Sequence, residues 1–227
     1  MRIIFVRQGH PDYEKDCLTE LGHLHAAAAA ERLRNEGVER IYSSTCGRAF
    51  ETAQHLGDLI GLPAIGCDFM REISWGDVDG PAYANGHPWT IAEQMAAAGE
   101  MLVDPDWRAH PDFCRNRLLA CCDKVAGETD AWLASLGFVR EGLYYRAAGG
   151  APGALAAFGH GGASAAMLSH LFNLPFPFVC HTMGPDYTGI TIVELPDRPG
   201  MLVSPRFELL NDARHIRGLR ADSYYGH

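Results

Sequence analysis

Three side chains suited to holding an oxyanion stand where an α/β chain would gather them. The apolar run Ile3-Ile4-Phe5-Val6 ends in Arg7-Gln8-Gly9-His10, and a second short run, Leu155-Ala156-Ala157-Phe158, ends in Gly159-His160-Gly161-Gly162. Arg48 falls in the first turn of what reads as a helix. A continuous apolar run closing on a polar residue and Gly has the pattern of a strand buried on both faces, and α/β proteins place their sites at the ends of such strands. Arg grips a tetrahedral oxyanion through paired N–H groups, and helix N-termini add backbone donors to the same task. Gln8 can donate to a phosphate oxygen. Small residues on both sides of His160 suit close approach to the backbone. The chemistry these residues describe is phosphate binding.

The elements that must position them follow a strand and helix alternation. Thr19 is expected to cap a helix with Leu21, Leu24, Ala28 and Leu33 on its apolar side, and the run from Ala26 to Ala30 favours helix. A short strand is expected at 40–43. Ser44 or Thr45 then caps a second helix whose apolar side is Ala49, Ala53, Leu56 and Ile60. A third strand is expected at 64–68, and 71–80 reads as a polar, glycine-containing loop. Residues 81–150 read as mainly helical, with one long helix over 112–136. The aromatics Tyr83, Trp89, Trp107 and Phe113 in this part suggest a cap folding over the core. A helix over 165–171 and strands at 189–195 and 202–209 complete the alternation, which indicates an α/β fold. With no internal repeat or linker, one domain over 1–227 is expected.

The bulk properties narrow the function classes. The chain of 227 residues is 47% apolar and 21% charged, the balance of a globular protein, and its formal charge of −9 argues against nucleic acid or an acidic membrane as a partner. Seven cysteines, an odd number with no Cys-x-x-Cys pair, suggest reduced thiols rather than a disulfide framework or a zinc knuckle. No basic and apolar leader precedes the first strand and no apolar stretch reaches spanning length, so a cytoplasmic location is expected. His23 and His25, two apart on a helix, do not share a face; they are expected on the surface and make a poor metal pair.

Five ordered motifs together resemble the histidine phosphatase superfamily, also called phosphoglycerate-mutase-like. They are Arg7-Gln8-Gly9; Leu18-Thr19-Glu20-Leu21-Gly22; Ser44 with Arg48-Ala49 and Thr52-Ala53; Glu72 with Gly76 and Gly80; and Gly159-His160-Gly161. Leu210-Asn211-Asp212 with His215 is similar to the bacterial phosphatase branch. The resemblance implies a three-layer α/β/α sandwich with a mostly parallel central sheet. It implies a phosphomonoester hydrolase working through a phosphohistidine, without metal or other cofactor, on a small phosphorylated metabolite. Arg7, Arg48, His160 and Gly161 would hold the phosphate, or free phosphate in its place. Glu72 would protonate the leaving oxygen, with His160 also counted in the catalytic set. His10, Tyr13, Trp75 and His181 are candidates for the substrate pocket.

The chain departs from the pattern at its centre. Gln8 stands where the family has its nucleophilic His, and a carboxamide nitrogen, its lone pair delocalised into the carbonyl, cannot form the phosphoenzyme. His10, beyond Gly9 where the chain must turn, is not expected to take over the in-line position. Glu14 and Pro11 depart from the phosphoglycerate mutase branch and favour a phosphatase. Three readings follow: a phosphatase scaffold that is impaired or substrate-trapping in this Gln8 form, a natural pseudoenzyme that binds a phospho-ligand, and, third, a phosphoglycerate mutase.

Overall fold

The computed structural model describes residues 1–219. In chain order the elements are β1 (Arg2–Arg7), the short strands β2 (Pro11–Asp12) and β3 (Cys17–Leu18), α1 (Glu20–Leu33), β4 (Val38–Ser44), α2 (Gly47–Ile60), β5 (Ala64–Cys67), α3 (Pro88–Ala97) and α4 (Leu118–Ser135). There follow β6 (Phe138–Glu141), β7 (Tyr144–Ala147), β8 (Ala154–Gly159), α5 (Gly161–Phe172), α6 (Phe176–Thr182), β9 (Ile190–Glu194), β10 (Leu202–Val203) and β11 (Arg206–Asp212).

The main sheet has six strands in the order β11-β9-β1-β8-β4-β5. β1, β8, β4 and β5 are mutually parallel, and β9 runs against both its neighbours. Alternation along β1 sends Ile4 and Val6 into one core and Ile3 and Phe5 into the other. On the first face Ala30 and Leu33 of α1 and Ala53 and Leu56 of α2 close over Ile4 and Val6. On the second, Ile91 of α3, Val125 and Leu133 of α4, Leu168 of α5 and Phe176 of α6 close over Ile3 and Phe5. Each large side chain buried in this way contributes about 1.5–3 kcal/mol. The result is the α/β architecture with helices on both faces of a mainly parallel sheet. Its consequence for function lies in the register: Arg7 pairs with Gly159 and Ser43 with Phe158. Arg7, Ser44 and His160 therefore leave the sheet at one edge.

Several local expectations are corrected. Thr19 does cap α1, its Oγ1 accepting the Gly22 N–H at 3.1 Å, but the buried stripe is Gly22, His25, Ala26, Ala29, Ala30 and Leu33, while Leu24 is 54% exposed. Small residues face inward because α1 packs closely against α2, which a Leu-lined face would hold apart. His25, expected on the surface, is 1% exposed and its Nε2 lies 2.7 Å from the Leu219 carbonyl oxygen. The N-cap of α2 is Cys46, and Ser44 contributes by accepting the Cys46 N–H through Oγ at 3.1 Å.

The helix expected over 112–136 begins only at Leu118. Upstream, Asn116 Oδ1 takes the Leu118 N–H at 3.0 Å, so a side chain supplies the acceptor that a further helical turn would have provided. Residues 81–150, expected to be mainly helical, also contain the β6–β7 hairpin, turning at Gly142 with φ 63°. The strand expected over 202–209 is two: β10 pairs with β7 in a separate three-stranded sheet and β11 pairs with β9 in the main one. Pro205 lies between them and has no N–H for either ladder.

Candidate functional site

The loop after β1 is fixed by a backbone crossing. A Cβ at Gly9 would stand 2.5 Å from the Gly22 carbonyl oxygen, and one at Gly22 would collide with the His10 carbonyl oxygen. Thr19 binds the same loop: its N–H donates to His10 O at 3.1 Å and its Oγ1 lies 2.9 Å from His10 Nδ1. The Gly9 N–H donates to Thr52 Oγ1 at 3.1 Å. Thus the Leu-Thr-x-x-Gly and Thr-Ala motifs read from the sequence act by anchoring the strand end. His10 is turned towards Thr19 and the Tyr187 ring, 5.4 Å away between centroids.

Gln8 is 1% exposed. Its N–H donates to Gly159 O at 2.9 Å, its carbonyl accepts the Thr188 N–H at 3.3 Å, and its side-chain Oε1 is buried without a protein partner. Arg7 extends from the same strand end with Nη1 donating to Pro185 O at 2.8 Å and its guanidinium carbon 4.4 Å from the centre of the Tyr187 ring. Arg48, in the first turn of α2, is buried and ion-paired with Asp16, whose second oxygen accepts the Gly47 N–H at 2.9 Å. The guanidinium carbon of Arg48 lies 5.3 Å from the centre of the exposed Tyr13 ring. The Nε atoms of Arg7 and Arg48 are also buried and unpartnered.

His160 closes the set. Fully buried at the N-cap of α5, it places Nε2 2.8 Å from Ser44 Oγ and leaves Nδ1 without a partner. Burial holds its pKa well below the ordinary imidazole value, and the positive fields of Arg48, Arg7 and Arg71 push it the same way. Gly161 follows as the first residue of the helix.

Glu72 reaches this helix start from the loop after β5. Its Oε1 accepts the N–H groups of Ala163 and Ile73, each at 3.0 Å. A Cβ at Gly162 would come within 2.7 Å of that oxygen, so glycine is needed there for the carboxyl to sit against the helix. Burial raises the Glu72 pKa, against the lowering effect of the two N–H bonds and of Arg7 and Arg48. A carboxyl that holds its proton to higher pH beside two arginines has the property of a general acid.

The remaining candidates fall at different distances from this centre. Tyr13 backs Arg48, and Trp75, three residues past Glu72, belongs to an aromatic group with Tyr83, His87 and Trp89. His181 is exposed in the last turn of α6. Asn211 and His215 support the loop against β1 from behind: Asn211 Oδ1 accepts the Asp186 N–H at 2.9 Å, and His215 Nε2 lies 3.0 Å from Thr188 Oγ1. Sequence reasoning missed Asp16 and Tyr187. Asp16 is one of three acids in a polar loop, and the structure marks it out by its left-handed backbone, φ 52°, and by its bonds to Arg48 and the Gly47 N–H. Among the described residues no group of three or more His, Cys, Asp or Glu is arranged to hold a metal ion, and no helix is long and apolar enough to cross a membrane.

Residues 4–134 match the profile of the Histidine phosphatase superfamily (branch 1). Probable phosphoglycerate mutases of Yersinia pestis and Yersinia pseudotuberculosis are 39% identical to the chain over 59 residues, 26% of this chain and 27% of theirs, so the match spans about a quarter of those relatives. Among solved structures, a mycobacterial glucosyl-3-phosphoglycerate phosphatase complexed with VO3 superposes with a TM-score of 0.62 at 22% identity, covering 92% of this chain and 98% of that one. Phosphoserine phosphatase from Entamoeba histolytica, in complex with 3-phosphoglyceric acid, gives 0.59 at 18% identity, with 95% and 98% covered. Bacillus stearothermophilus YhfR gives 0.63 at 20% identity, with 95% and 99% covered. At these identities the structural likeness speaks for the fold.

Proposed function

The chain belongs to the histidine phosphatase superfamily, and on that footing we propose that its strand-edge pocket binds the phosphate of a small phosphomonoester. Arg7, Arg48, His160 and the Gly161 N–H hold the non-bridging oxygens, and Glu72 donates its proton to the ester oxygen. One observation carries the reading. Arg7 Nε and Arg48 Nε are buried donors without partners, His160 Nδ1 is likewise unpartnered, and the three residues border one edge of the sheet. Buried polar groups are normally satisfied, so unsatisfied atoms gathered in one place argue for a ligand there. A neutral imidazole between two guanidinium groups adds a hydrogen bond without a third positive charge.

In the family's scheme a His at the position of Gln8 forms a P–N bond while the P–O ester bond breaks and the acid protonates the departing alkoxide. Water then cleaves the P–N bond. Gln8 closes the first step, so the chain as it stands is a cytoplasmic phosphatase scaffold that binds substrate and turns it over poorly or not at all. The pseudoenzyme reading, in which Gln8 is natural, likewise expects a phospho-ligand to bind without turnover. The mutase reading fits less well, since Glu14, where that branch usually has Asn, is exposed and turned into a local loop with Asp12.

The deciding experiment compares the chain with Gln8→His on a chromogenic aryl phosphate in the presence of a chelator, trapping acid-labile phosphohistidine. Turnover and labelling by the restored protein alone support the phosphatase scaffold. Absence of both in either protein, with phosphate still bound, transfers the reading to a binding module. Absence of phosphate binding overturns both.

A further inference from the structure

An acid that protonates the ester oxygen stands on the leaving-group side of phosphorus, so the alcohol lies against the segment that follows Glu72. That segment forms an aromatic wall. Trp75 is at its centre, with ring centroids 4.8 Å from Tyr83, 4.9 Å from His87 and 6.3 Å from Trp89, each packed edge to face. Trp89 Cζ2 comes within 3.7 Å of where a Gly161 Cβ would stand, a point that is 3.9 Å from Arg7 Nε, which puts the wall directly beside the phosphate groups. Tyr83 is 55% exposed and sits in the left-handed region at φ 62°, a conformation uncommon for bulky residues. Glu72 and Arg48 are both within electrostatic reach of its hydroxyl.

The wall is held in advance of any ligand. Tyr83 N–H donates to Trp75 O at 2.9 Å, Arg117 Nη2 donates to the carbonyl oxygens of Asp77, at 3.0 Å, and Gly80, and Asn116 Nδ2 donates to Gly86 O at 2.8 Å. Its charges matter as much as its rings. Among the described residues of this wall the two arginines are already engaged, Arg117 with those carbonyls and Arg115 with Asp77 and Asp79 at 3.1 and 2.7 Å. Arg71, near His160, has Nη1 on Thr45 Oγ1 at 3.1 Å. A substrate carboxylate on the leaving group would meet aromatic faces, with these arginines already holding other partners.

We infer that the pocket prefers phosphomonoesters whose alcohol is flat and uncharged, aryl phosphates above all, over phosphorylated carboxylic acids. The inference rests on the proposed phosphate site and on Glu72 as its acid. The class separates this chain from the structural relatives whose solved complexes hold phosphoserine or 3-phosphoglyceric acid.

The test uses the chain as it exists, with Gln8 in place so that ligands persist. Calorimetric titrations with inorganic phosphate, phenyl phosphate, phosphoserine and 3-phosphoglycerate should give phenyl phosphate an affinity about tenfold above either acid. Tyr83→Ala and, separately, Trp89→Leu should each weaken phenyl phosphate by about fivefold and leave inorganic phosphate within about twofold. Phosphoserine or 3-phosphoglycerate binding as tightly as phenyl phosphate overturns the inference, as does unchanged phenyl phosphate affinity in both variants, while inorganic phosphate binding keeps the phosphate site standing. If inorganic phosphate itself fails to bind, the proposed function falls first and the inference with it.

Discussion

The strand edge and the aromatic wall meet where Trp89 and Arg7 both approach Gly161, and they are held by different means. At the edge, Arg7, Gln8 and His160 are placed by the parallel ladders of β1, β8 and β4, and the connecting loop is pinned where Gly9 and Gly22 pass backbone to backbone. At the wall, Tyr83 and its neighbours rest on bonds from the side chains of Arg117 and Asn116 to loop carbonyls. A ladder is shared among many residues and yields little to one surface substitution, whereas a loop that leans on a few side chains besides scattered backbone bonds yields more to the loss of one. On the proposed reading the rigid part recognises what every substrate has in common, the phosphate, and the more easily altered part recognises the alcohol.

The sharpest way to break this comparison is at the glycine crossing. Gly22→Ala puts a methyl group into the His10 carbonyl oxygen, and the expected result is destabilisation of about 3 kcal/mol in urea unfolding, with phosphate binding lost at the temperature of the assay. A protein that keeps both stability and binding would show that the crossing does not fix the loop. Next in size is Arg48→Ala. It removes charged hydrogen bonds to phosphate and frees Asp16, and phosphate affinity should fall by about 50-fold. Arg48→Lys should recover only part of that loss, because an ammonium group cannot hold Asp16 and phosphate in the planar geometry of a guanidinium.

This division also explains what could be read in the sequence. That Arg7, Arg48, His160 and Glu72 come to neighbouring places could be read from the short motifs they belong to, and the structure gives nearby residues work: Thr19 and Gly22 at the crossing, Gly162 beneath Glu72, Ser44 on His160. The α/β alternation was legible from apolar runs of strand length. The hairpin β6–β7 and the late start of α4 were not. Their cause is side-chain capture of backbone groups by Asn116 and a turn at Gly142, which no apolar periodicity reports. Leu24 and His25 exchanged places for a related reason: close packing of α1 on α2 selects the alanine face over the larger side chains.

The wall offers a milder way to sharpen the comparison. Arg117→Ala removes the donor to Asp77 O and Gly80 O, at a cost of about 1–2 kcal/mol to stability by chemical denaturation. Inorganic phosphate should bind as before, while the preference for phenyl phosphate over phosphoserine shrinks. Equal losses for both ligands would mean that edge and wall are a single unit.

The smallest predicted effect is on stability against pH, and it tests the charge balance at the edge. Burial, first among the causes in each case, holds His25, His55, His160 and His215 below the ordinary value of 6.5, with Arg48 and Arg7 adding to it at His160. Above 6.5 each imidazole is neutral in both the folded and the unfolded chain, so it contributes nothing. Below 6.5 the unfolded chain takes up protons that the folded chain refuses, and stability should fall as the pH drops towards the lowered folded values. Glu72 acts in the opposite sense. Its pKa is raised from 4.5, so as the pH falls through the folded value towards 4.5 the folded chain takes up a proton that the unfolded chain does not, which is stabilising. Four imidazoles against one carboxyl leave a net decline in melting temperature below pH 6.5. His160→Asn should flatten that decline and Glu72→Gln should steepen it. An unchanged slope in His160→Asn would mean that the imidazole between the two arginines already carries its proton, and the hydrogen-bonding role assigned to it at the phosphate site would then have to be replaced by that of a third positive charge.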